Sequence, residues 1–412
     1  MIAILFWVCA AVIFYVYCGY PILLWMLAAL FGKQCRPYHG TPSVTLLIAA
    51  YNEQDTIAAK LENSLALDYP PSKLQILVAA DGSTDKTVEI VSRFSSRGVQ
   101  LSFSPQRRGK MAAINHAMSQ ATGEIVVFSD ANNAFSNTAL RELVMPFGDA
   151  GIGVVSGAKS IISGDGALGD SEGFYWRYES FIKEKESRLG CCIGASGEIL
   201  AIRRELFESP PQGIINDDCY IALHLIRRGS RVAYAPRARS YERISVSASD
   251  EIARRTRIFA GRFQTLTLAP KLMPFDRPLV LWQEISHQYL RTLLPLAMLG
   301  ALASSLFSVL TPLSTSRGAL GLGWPVNWIL LSTQLAFYLM AWIGARAERT
   351  TGVFKLFYLS TFLVNSNLAG LIGMFRYLTK RHTVLWQRAQ RQDMQSIFQI
   401  GASASSEYDK AA

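Results

Sequence analysis

The stretch Glu124-Ile125-Val126-Val127-Phe128-Ser129-Asp130-Ala131-Asn132 decides which fold this chain is expected to adopt. Its four consecutive apolar residues, three of them β-branched, predict a strand buried on both faces, as in a parallel sheet. Asp130 ends this strand, and α/β sheets bind ligands at the carboxyl ends of their strands. A carboxylate there suits Mg²⁺ or Mn²⁺ bridging a diphosphate, although a helix cap or a turn residue explains this stretch alone equally well.

Apolar runs of strand length alternate with helical stretches on both sides of residues 124–132. This alternation predicts a right-handed, mostly parallel α/β sheet. No Gly-x-Gly-x-x-Gly follows the first run, so a dinucleotide-binding site is not supported. Further strands are expected at residues 44–49, 74–79, 99–103, 152–156 and 232–235, and helices at residues 86–95, 172–189 and 251–266.

The composition indicates a protein that is partly embedded in a membrane. Of the 412 residues 50% are hydrophobic and 17% charged, too apolar for a wholly soluble enzyme and too charged for membrane helices alone. The net charge of +10 could suit nucleic acid, but the apolar blocks at both ends indicate the positive-inside bias of a membrane protein. We therefore expect membrane lipids, and no nucleic acid, as partners. The six cysteines lack metal-type spacing and are expected to be reduced thiols.

The N-terminal apolar block predicts a membrane helix. Residues 2–31 contain no charged side chain and are long enough to cross a bilayer core of about 30 Å. A signal peptide would begin with basic residues and have a shorter apolar run, so an uncleaved helix is the better interpretation. Lys33 and Arg36 follow the block, which puts its C-terminal end in the cytoplasm.

Three more apolar blocks follow the central part. Residues 293–313 and 328–345 can each span a bilayer. Residues 356–375 contain Asn365 and Asn367 and have basic residues on both sides, which favours a re-entrant or interfacial hairpin over a plain fourth span. The expected organisation is a membrane helix at 1–32, a cytosolic domain at 33–270, an interfacial segment at 271–292, membrane helices with the hairpin at 293–379, and a basic cytosolic tail at 380–412.

Polar side chains follow several of the apolar runs. They are Glu53, Asp81, Asp130 with Asn132, and Asp217 with Asp218. Because parallel strands end at one edge of a sheet, these groups can face a single cleft although they are far apart in sequence. One such acid is usually a cap or a turn residue, but four such places beside the basic run at residues 107–110 indicate a site for a metal-bound diphosphate.

Five short motifs in a fixed order carry a more specific resemblance. They are residues 44–53, Asp81-Gly82-Ser83-x-Asp85, Gly109-Lys110-x-x-Ala113-x-Asn115, Asp130-Ala131-Asn132 and Asn216-Asp217-Asp218. Over residues 43–264 the chain thereby resembles the inverting glycosyltransferase family 2. The resemblance implies a GT-A fold, which is a Rossmann-like α/β fold, and a nucleotide-diphosphate sugar as donor. The membrane arrangement is similar to that of the family's cellulose, hyaluronan and poly-N-acetylglucosamine synthases.

The resemblance implies how the donor nucleotide is held. Ala50, Tyr51 and Glu53 would form the wall around the base, and Asp81 would bind the uracil or ribose. Lys110 matches the basic residue near the nucleotide. Taken alone, Asp81 is equally an ordinary turn residue and Lys110 a solvated helix lysine.

The same resemblance implies the metal ligands and the general base. Asp130 and Asn132 occupy the family's Asp-x-Asp motif for Mg²⁺ or Mn²⁺; the amide of Asn132 can ligate but brings no charge, so Asp130 is the main ligand expected. Asp218 matches the last residue of the Thr-Glu-Asp motif, the base that takes the acceptor proton. Asp217 as the base, or Asp218 as a mere helix cap, is the alternative.

The acceptor side is implied by fewer residues. The loop that resembles the family's acceptor loop consists of Gly194, Ala195, Ser196 and Gly197, with Glu198. Trp176 could add a surface on which a sugar stacks, or belong to the core. Arg254 and Arg257 lie three apart on one helix face and could clamp the diphosphate. Ile258 stands where the synthases have the Trp of Gln-x-x-Arg-Trp, which puts processive synthesis and the usual acceptor in doubt.

The expected function is that of a membrane-bound inverting glycosyltransferase in the bacterial inner membrane. It would move a sugar from a nucleotide-diphosphate sugar, expected to be a UDP-sugar, onto a growing exopolysaccharide or lipid-linked glycan at the cytoplasmic face. A homodimer or separate export machinery would complete the path across the membrane. The alternatives are a non-processive transferase acting on a polyprenyl phosphate or glycolipid, and a catalytically inactive membrane scaffold.

Overall fold

The computed structural model describes residues 1–33, 40–161, 166–242, 248–311, 321–346, 354–381 and 398. Arg36 and most of the expected tail at 380–412 lie outside these residues. In the described part, one mixed sheet of eight strands forms the centre of the domain between the membrane helices. Its strands are β1 (Val44–Ala50), β2 (Leu74–Asp81), β3 (Val99–Ser104), β4 (Ile125–Asp130), β5 (Ala134–Phe135), β6 (Ile152–Ile161), β7 (Ile199–Arg203) and β8 (Arg231–Glu242).

The helices alternate with these strands and flank them at both ends of the chain. The α-helices are α1 (Ile2–Phe14), α2 (Tyr20–Phe31), α3 (Ile57–Leu65), α4 (Thr87–Arg93), α5 (Lys110–Met118), α6 (Ala139–Val144), α7 (Gly166–Arg188), α8 (Asp217–Arg227), α9 (Ala248–Thr267), α10 (Ala269–Leu272), α11 (Pro278–Glu284), α12 (Arg291–Leu310), α13 (Val326–Gly344) and α14 (Phe354–Leu378). The π-helical turns Tyr15–Gly19 and Ile285–Leu290 join α1 to α2 and α11 to α12.

The sheet is parallel in its first half and mixed in its second half. The strand order is β3-β2-β1-β4-β7-β6-β8-β5. Neighbours among the first four strands are parallel, as the sequence predicts. Strand β7 runs antiparallel to β4 and β6, and β8 pairs with β6 in parallel. The carboxyl ends of β1, β2 and β4 therefore meet at one edge.

Burial on both faces explains why the apolar runs form strands. All seven residues of β1 are buried. Leu46 packs in the core on one side of the sheet, where α3 contributes Ile57, and Leu47 packs in the core on the other side, where α5 contributes Ala113. A strand covered by helices on both faces reads as a continuous apolar run, which is why the sequence predicts β1, β2 and β4 well.

Strands β6 and β8 extend further than the sequence predicts. Their additional residues include Lys159, Ser240 and Glu242, which a pattern search excludes because they are polar. All three are buried, and Lys159 forms an ion pair with Glu242 across the two strands. A buried charge is tolerated in a strand when its partner lies on the neighbouring strand, and sequence spacing does not reveal such a partner.

In the part of the chain that the structure describes, four helical segments are long and apolar enough to cross a membrane. They are Ile2–Phe31, Pro278–Leu310, Val326–Gly344 and Leu356–Leu378. The first and third agree with the predicted spans. The interfacial segment expected at 271–292 is not a separate element, because the helix that was expected from residue 293 begins at Pro278. Polar residues obscured this start; Glu284 and His287 are buried in the protein rather than exposed to water.

The hairpin expected at residues 356–375 is wrong, because α14 is one continuous helix of 25 residues. Asn367, which suggested a reversal, donates a hydrogen bond to Leu363 O within the helix and one to the Tyr17 hydroxyl at 3.1 Å. A polar residue thus finds partners without a chain reversal. Whether α14 crosses a bilayer or lies at its surface stays a prediction.

Candidate active site

A cavity of about 510 Å³ lies beside the end of β4. It brings together most of the residues singled out in the sequence, which come from six segments. They are Lys110, Asp130, Asn132, Trp176, Gly194, Ala195, Ser196, Gly197, Asp217, Asp218, Arg254 and Arg257. The residues expected around the base, namely Ala50, Tyr51, Glu53 and Asp81, lie at the same sheet edge but do not line this cavity. The cavity therefore includes the residues expected to act as base, metal ligands and acceptor loop, but not those expected around the nucleotide base.

Lys110 and Asp130 form an ion pair at the end of β4. The Lys110 ammonium donates to Asp130 Oδ1 at 2.6 Å, and both side chains are about one-fifth exposed. Burial opposes the charge on Lys110, but the carboxylates of Asp130, Asp217 and Asp218 outweigh it and raise its pKa. Lys110 is thus a fixed cation in the cleft and not a solvated helix lysine.

Asp81 fixes the loop that directly precedes Lys110. Its two carboxylate oxygens accept hydrogen bonds from the backbone N–H groups of Arg108 and Gly109, at 2.8 and 2.7 Å. The carboxylate is 95% buried, so it is more than an ordinary turn residue. A contact between Asp81 and a uracil or ribose stays a prediction.

The expected wall of the base has two different kinds of residue. Tyr51 is partly exposed, and the Arg107 guanidinium lies 3.9 Å from its ring centroid. Glu53 is buried and accepts a hydrogen bond from Thr56 Oγ1 at 2.8 Å. Glu53 therefore holds the chain between β1 and α3, and its direct contact with a nucleotide is untested.

Asp217 and Asp218 do not follow a strand, as their place after an apolar run suggested, but begin helix α8. Asp218 Oδ2 accepts from the Gly197 N–H at 2.9 Å, and Oδ1 accepts from the Cys219 N–H at 2.8 Å. Burial and the neighbouring Asp217 raise the pKa of Asp218, which suits a group that must take up a proton.

The acceptor loop approaches Asp218 so closely that it needs glycine. A Cβ atom on Gly197 would lie 2.9 Å from Asp218 Cβ. The preceding Ser196 is fixed on both sides, since its hydroxyl accepts from Lys183 Nζ at 2.9 Å and its N–H donates to Ser156 Oγ at 3.1 Å. The loop and the expected base are thus one packed unit.

Helix α9 brings two arginines to the cavity. Arg254 pairs with Glu251 on the same helix, with Nη2 2.7 Å from Oε1. Burial opposes ionisation of Glu251, but Arg254 and Arg255 lower its pKa to about 2. Arg257 Nη1 donates to Ile215 O at 3.2 Å, just before Asp217. Both arginines line the cavity, and Arg257 also contacts the segment that carries the expected base.

A buried lysine that the sequence analysis did not select supports the Asp130 turn. Lys60 Nζ donates to Asn133 Oδ1 at 2.8 Å and to Asn133 O at 3.0 Å. Asn133 Nδ2 in turn donates to Glu198 O at 2.9 Å, which joins the metal motif to the acceptor loop. Burial lowers the pKa of Lys60 to about 7. The sequence does contain a signal for this burial, because helical spacing places Lys60 on the same face of α3 as Ile57 and Ser64, which are buried.

A second buried cluster lies beside the cavity, which Glu179 and His287 help to line. The His287 ring is hydrogen-bonded to two glutamates. Its Nε2 lies 2.9 Å from Glu179 Oε1, and its Nδ1 lies 2.8 Å from Glu186 Oε1. Arg291 pairs with Glu179 at 2.7 Å, and Tyr20 donates to Glu186 at 2.5 Å. These contacts join α2, α7 and the helix from Pro278 beneath the acceptor loop. The sequence does not reveal these contacts, because the two partners of each pair come from different helices.

The residues of the metal motif fit a divalent cation that takes further ligands from a diphosphate. Asn132 is 91% buried, and its Oδ1 has no hydrogen-bond partner among the described residues. Asp130 adds a carboxylate beside it. No group of three or more His, Cys, Asp or Glu side chains that could hold a metal occurs in the described part. Mg²⁺ is commonly held by one or two protein oxygens plus phosphates, so this small set is sufficient.

The mixed sheet and its flanking helices form a fold of the GT-A class. Asp130 ends the fourth strand of a Rossmann-like sheet, and Asp218, which accepts a hydrogen bond from the Gly197 N–H, lines the same cavity. Residues 45–209 match the model of glycosyl transferase family 2.

Two relatives have the same printed function. A poly-β-1,6-N-acetyl-D-glucosamine synthase from Staphylococcus aureus strain MSSA476 is 29% identical over 201 residues, 47% of this chain and 48% of that protein. Its counterpart from Staphylococcus epidermidis is 27% identical over 204 residues, with the same coverage. The chain thus spans about half the length of these relatives.

A solved structure resembles the chain over most of its length. It is the mannosyltransferase PcManGT from Pyrobaculum calidifontis in complex with GDP-Man and Mn²⁺. The TM-score is 0.71 at 23% identity, with 93% of this chain and 100% of that chain covered. This likeness confirms the predicted fold.

Proposed function

We propose that the chain is a membrane-anchored inverting glycosyltransferase. It transfers a sugar from a nucleotide-diphosphate sugar, with UDP as the first nucleotide to test, onto a growing polysaccharide or lipid-linked glycan. The observation that carries the proposal is Asp218. Its carboxylate is fixed by two backbone N–H groups, has a raised pKa, and lines the same cavity as the Lys110–Asp130 pair.

The side chains that line the cavity have separate roles in the proposed reaction. Asp218 takes the proton from the acceptor hydroxyl as its oxygen attacks the anomeric carbon. Lys110 stabilises the negative charge of the departing diphosphate, and Arg257 adds a second cation. Asp130 and Asn132 would hold Mg²⁺ or Mn²⁺, which when bound neutralises diphosphate charge. A nucleotide diphosphate leaves well, so the proposed reaction needs no second protein acid.

Charge at the helix ends supports a cytoplasmic active site. Lys33 follows the first candidate span, Arg346 follows the third, and Lys380 and Arg381 follow α14. The positive-inside rule places such ends in the cytoplasm, where nucleotide sugars are made. The bacterial inner membrane is the setting proposed, and a homodimer or separate export machinery is the proposed complement to these few helices.

A thermal-shift screen tests the donor and metal parts of the proposal. Protein purified in detergent is heated with UDP-GlcNAc, UDP-glucose or GDP-mannose, each with and without Mg²⁺ or Mn²⁺. One donor should raise the melting temperature in a metal-dependent manner, since a ligand that binds only the folded state stabilises it. Mn²⁺ binding, followed by its electron paramagnetic resonance in the presence of UDP, should weaken in Asp130→Asn. Metal-independent donor binding would contradict the role given to Asp130.

A single-addition transferase with a lipid-phosphate acceptor is the second candidate. Arg376 and Arg381, at the end of α14, line the cavity together with Arg262. Arg376 belongs to a helix of membrane-spanning length and Arg381 follows it, so these cations suit a phosphate at the bilayer surface. Product length in membranes given radiolabelled donor distinguishes the two candidates. Products with one added sugar that extract into organic solvent favour the lipid acceptor, and long polymers favour the synthase.

A further inference from the structure

Besides Asn132 Oδ1, two buried polar atoms of residues that line the cavity have no hydrogen-bond partner among the described residues. They are Trp176 Nε1 and Glu198 Oε1. Both residues line the cavity, at the end formed by α7 and the acceptor loop. A buried polar atom without a partner destabilises the fold, so such atoms in a cavity indicate that a ligand supplies the missing hydrogen bonds.

The second oxygen of Glu198 is fixed, which holds the unpaired one in place. Glu198 Oε2 accepts from Lys159 Nζ at 2.9 Å. Lys159 also pairs with Glu242, and its ammonium lies 5.3 Å from the centroid of the Trp176 ring. Glu198, Lys159 and Trp176 are therefore neighbours.

The chemistry of the two unpaired atoms selects the ligand. An indole N–H only donates, and a carboxylate paired with an ammonium only accepts. A ligand that satisfies both must present a donor and an acceptor close together. Sugars do so through neighbouring hydroxyls or an acetamido group. A phosphate diester presents only acceptors, so it would leave Glu198 Oε1 without a donor.

We propose that Trp176 and Glu198 form a subsite for the acceptor's sugar, bound through a hydroxyl pair or an acetamido group. The subsite lies on the acceptor side because Glu198 directly follows Gly197, whose N–H holds the expected base Asp218. The proposal rests on the proposed transferase function and adds to it the group that is recognised. It makes a neutral sugar, and not a phosphate, the part of the acceptor next to the base.

Ligand-observed NMR on the full chain in detergent, saturated with UDP and Mg²⁺, tests the subsite. The probes are pentasaccharides of N-acetylglucosamine, glucose and mannose, with inorganic phosphate as the anionic probe. At least one pentasaccharide should bind. Trp176→Phe, which keeps an aromatic ring but removes the N–H, and Glu198→Gln should each weaken its binding by about 10-fold, as expected for loss of one buried hydrogen bond.

Trp282→Phe is the matched control, because Trp282 Nε1 is already bonded to the Tyr15 hydroxyl and the residue does not line the cavity. It should bind the pentasaccharide like the wild type. Binding of no pentasaccharide, or equal binding by wild type, Trp176→Phe and Glu198→Gln, overturns the subsite. Failure of the transferase proposal is seen separately, as a wild type that turns over no nucleotide sugar.

Discussion

Asp217 and Asp218 differ in what surrounds them, although they are adjacent. Asp218 accepts two backbone N–H bonds, and its pKa is raised by burial and by the charge of Asp217. Asp217→Asn removes that charge, so the pKa of Asp218 should fall and the acidic limb of kcat/KM should move to lower pH. A pH–rate profile for the donor measures this. Asp276→Asn, at an exposed residue that pairs with Arg227, is the control and should not move the limb. An unchanged limb in Asp217→Asn would contradict the coupling.

Lys60 predicts a pH-dependent stability. Its pKa is about 7 in the folded protein and ordinarily 10.5. Between these values the unfolded chain binds more protons, so the free energy of unfolding rises with pH over that window. Lys60→Met removes this dependence. The melting temperature of the wild type, measured relative to Lys60→Met, should therefore be higher at pH 9 than at pH 6. A constant difference would contradict a buried lysine with a lowered pKa.

The sequence predicts the polar residues at strand ends better than it predicts the residues that hydrogen-bond to them. Asp130 and Asp81 follow apolar runs, and the buried strand makes their location recognisable. The partner of Lys60 is 73 residues away, and nothing in either segment points to the other. Glu198 was placed in the acceptor loop, but its pairing with Lys159 requires the fold of β6 against β7. The periodicity of a sequence indicates which residues are buried, but not which residues form hydrogen bonds or ion pairs with each other.

Helix α9 meets the start of α8 through a glycine. A Cβ atom on Gly261 would lie 2.4 Å from Cγ of Asn216, the residue before Asp217. Helix propensity alone favours alanine over glycine by about 1 kcal/mol. Gly261→Ala should nevertheless reduce kcat, because the clash displaces Asn216 and the two aspartates after it.

Gly173→Ala is the matched control for this contact. Gly173 also lies in a helix, α7, and a Cβ atom there would meet no atom within 4 Å. It should leave kcat unchanged and leave the melting temperature unchanged or slightly raised. Equal activity of Gly261→Ala and the wild type would show that α9 does not fix the base in place.

The order of elements along the chain made the sheet predictable, but the membrane part was less so. The runs that form β1, β2 and β4 have a single interpretation because both faces are buried. In the helix from Pro278, buried Glu284, His287 and Arg291 interrupt the apolar pattern, so the helix appeared to begin later. Polar residues inside a helix have this effect when other parts of the protein, and not water, satisfy them.

In the whole molecule the helices of membrane-spanning length contact the α/β domain and one another through several hydrogen bonds. Tyr20 of α2 donates to Glu186 of α7, and the Lys33 N–H donates to Arg188 O at 2.7 Å. Asn367 of α14 reaches Tyr17 on the N-terminal helix. The cavity therefore has walls from the sheet on one side and from helices of membrane-spanning length on the other. This arrangement suits a soluble donor and an acceptor that arrives along the membrane.

The most direct test of the account is sugar transfer by Asp218→Asn. Membranes containing wild type or Asp218→Asn receive the radiolabelled donor that stabilises the wild type in the thermal-shift screen, and label in the product is counted. Loss of a general base should lower transfer by about 100-fold or more. Donor binding should persist, because Lys110 and Asp130 are intact. Transfer by Asp218→Asn at the wild-type rate would contradict the account.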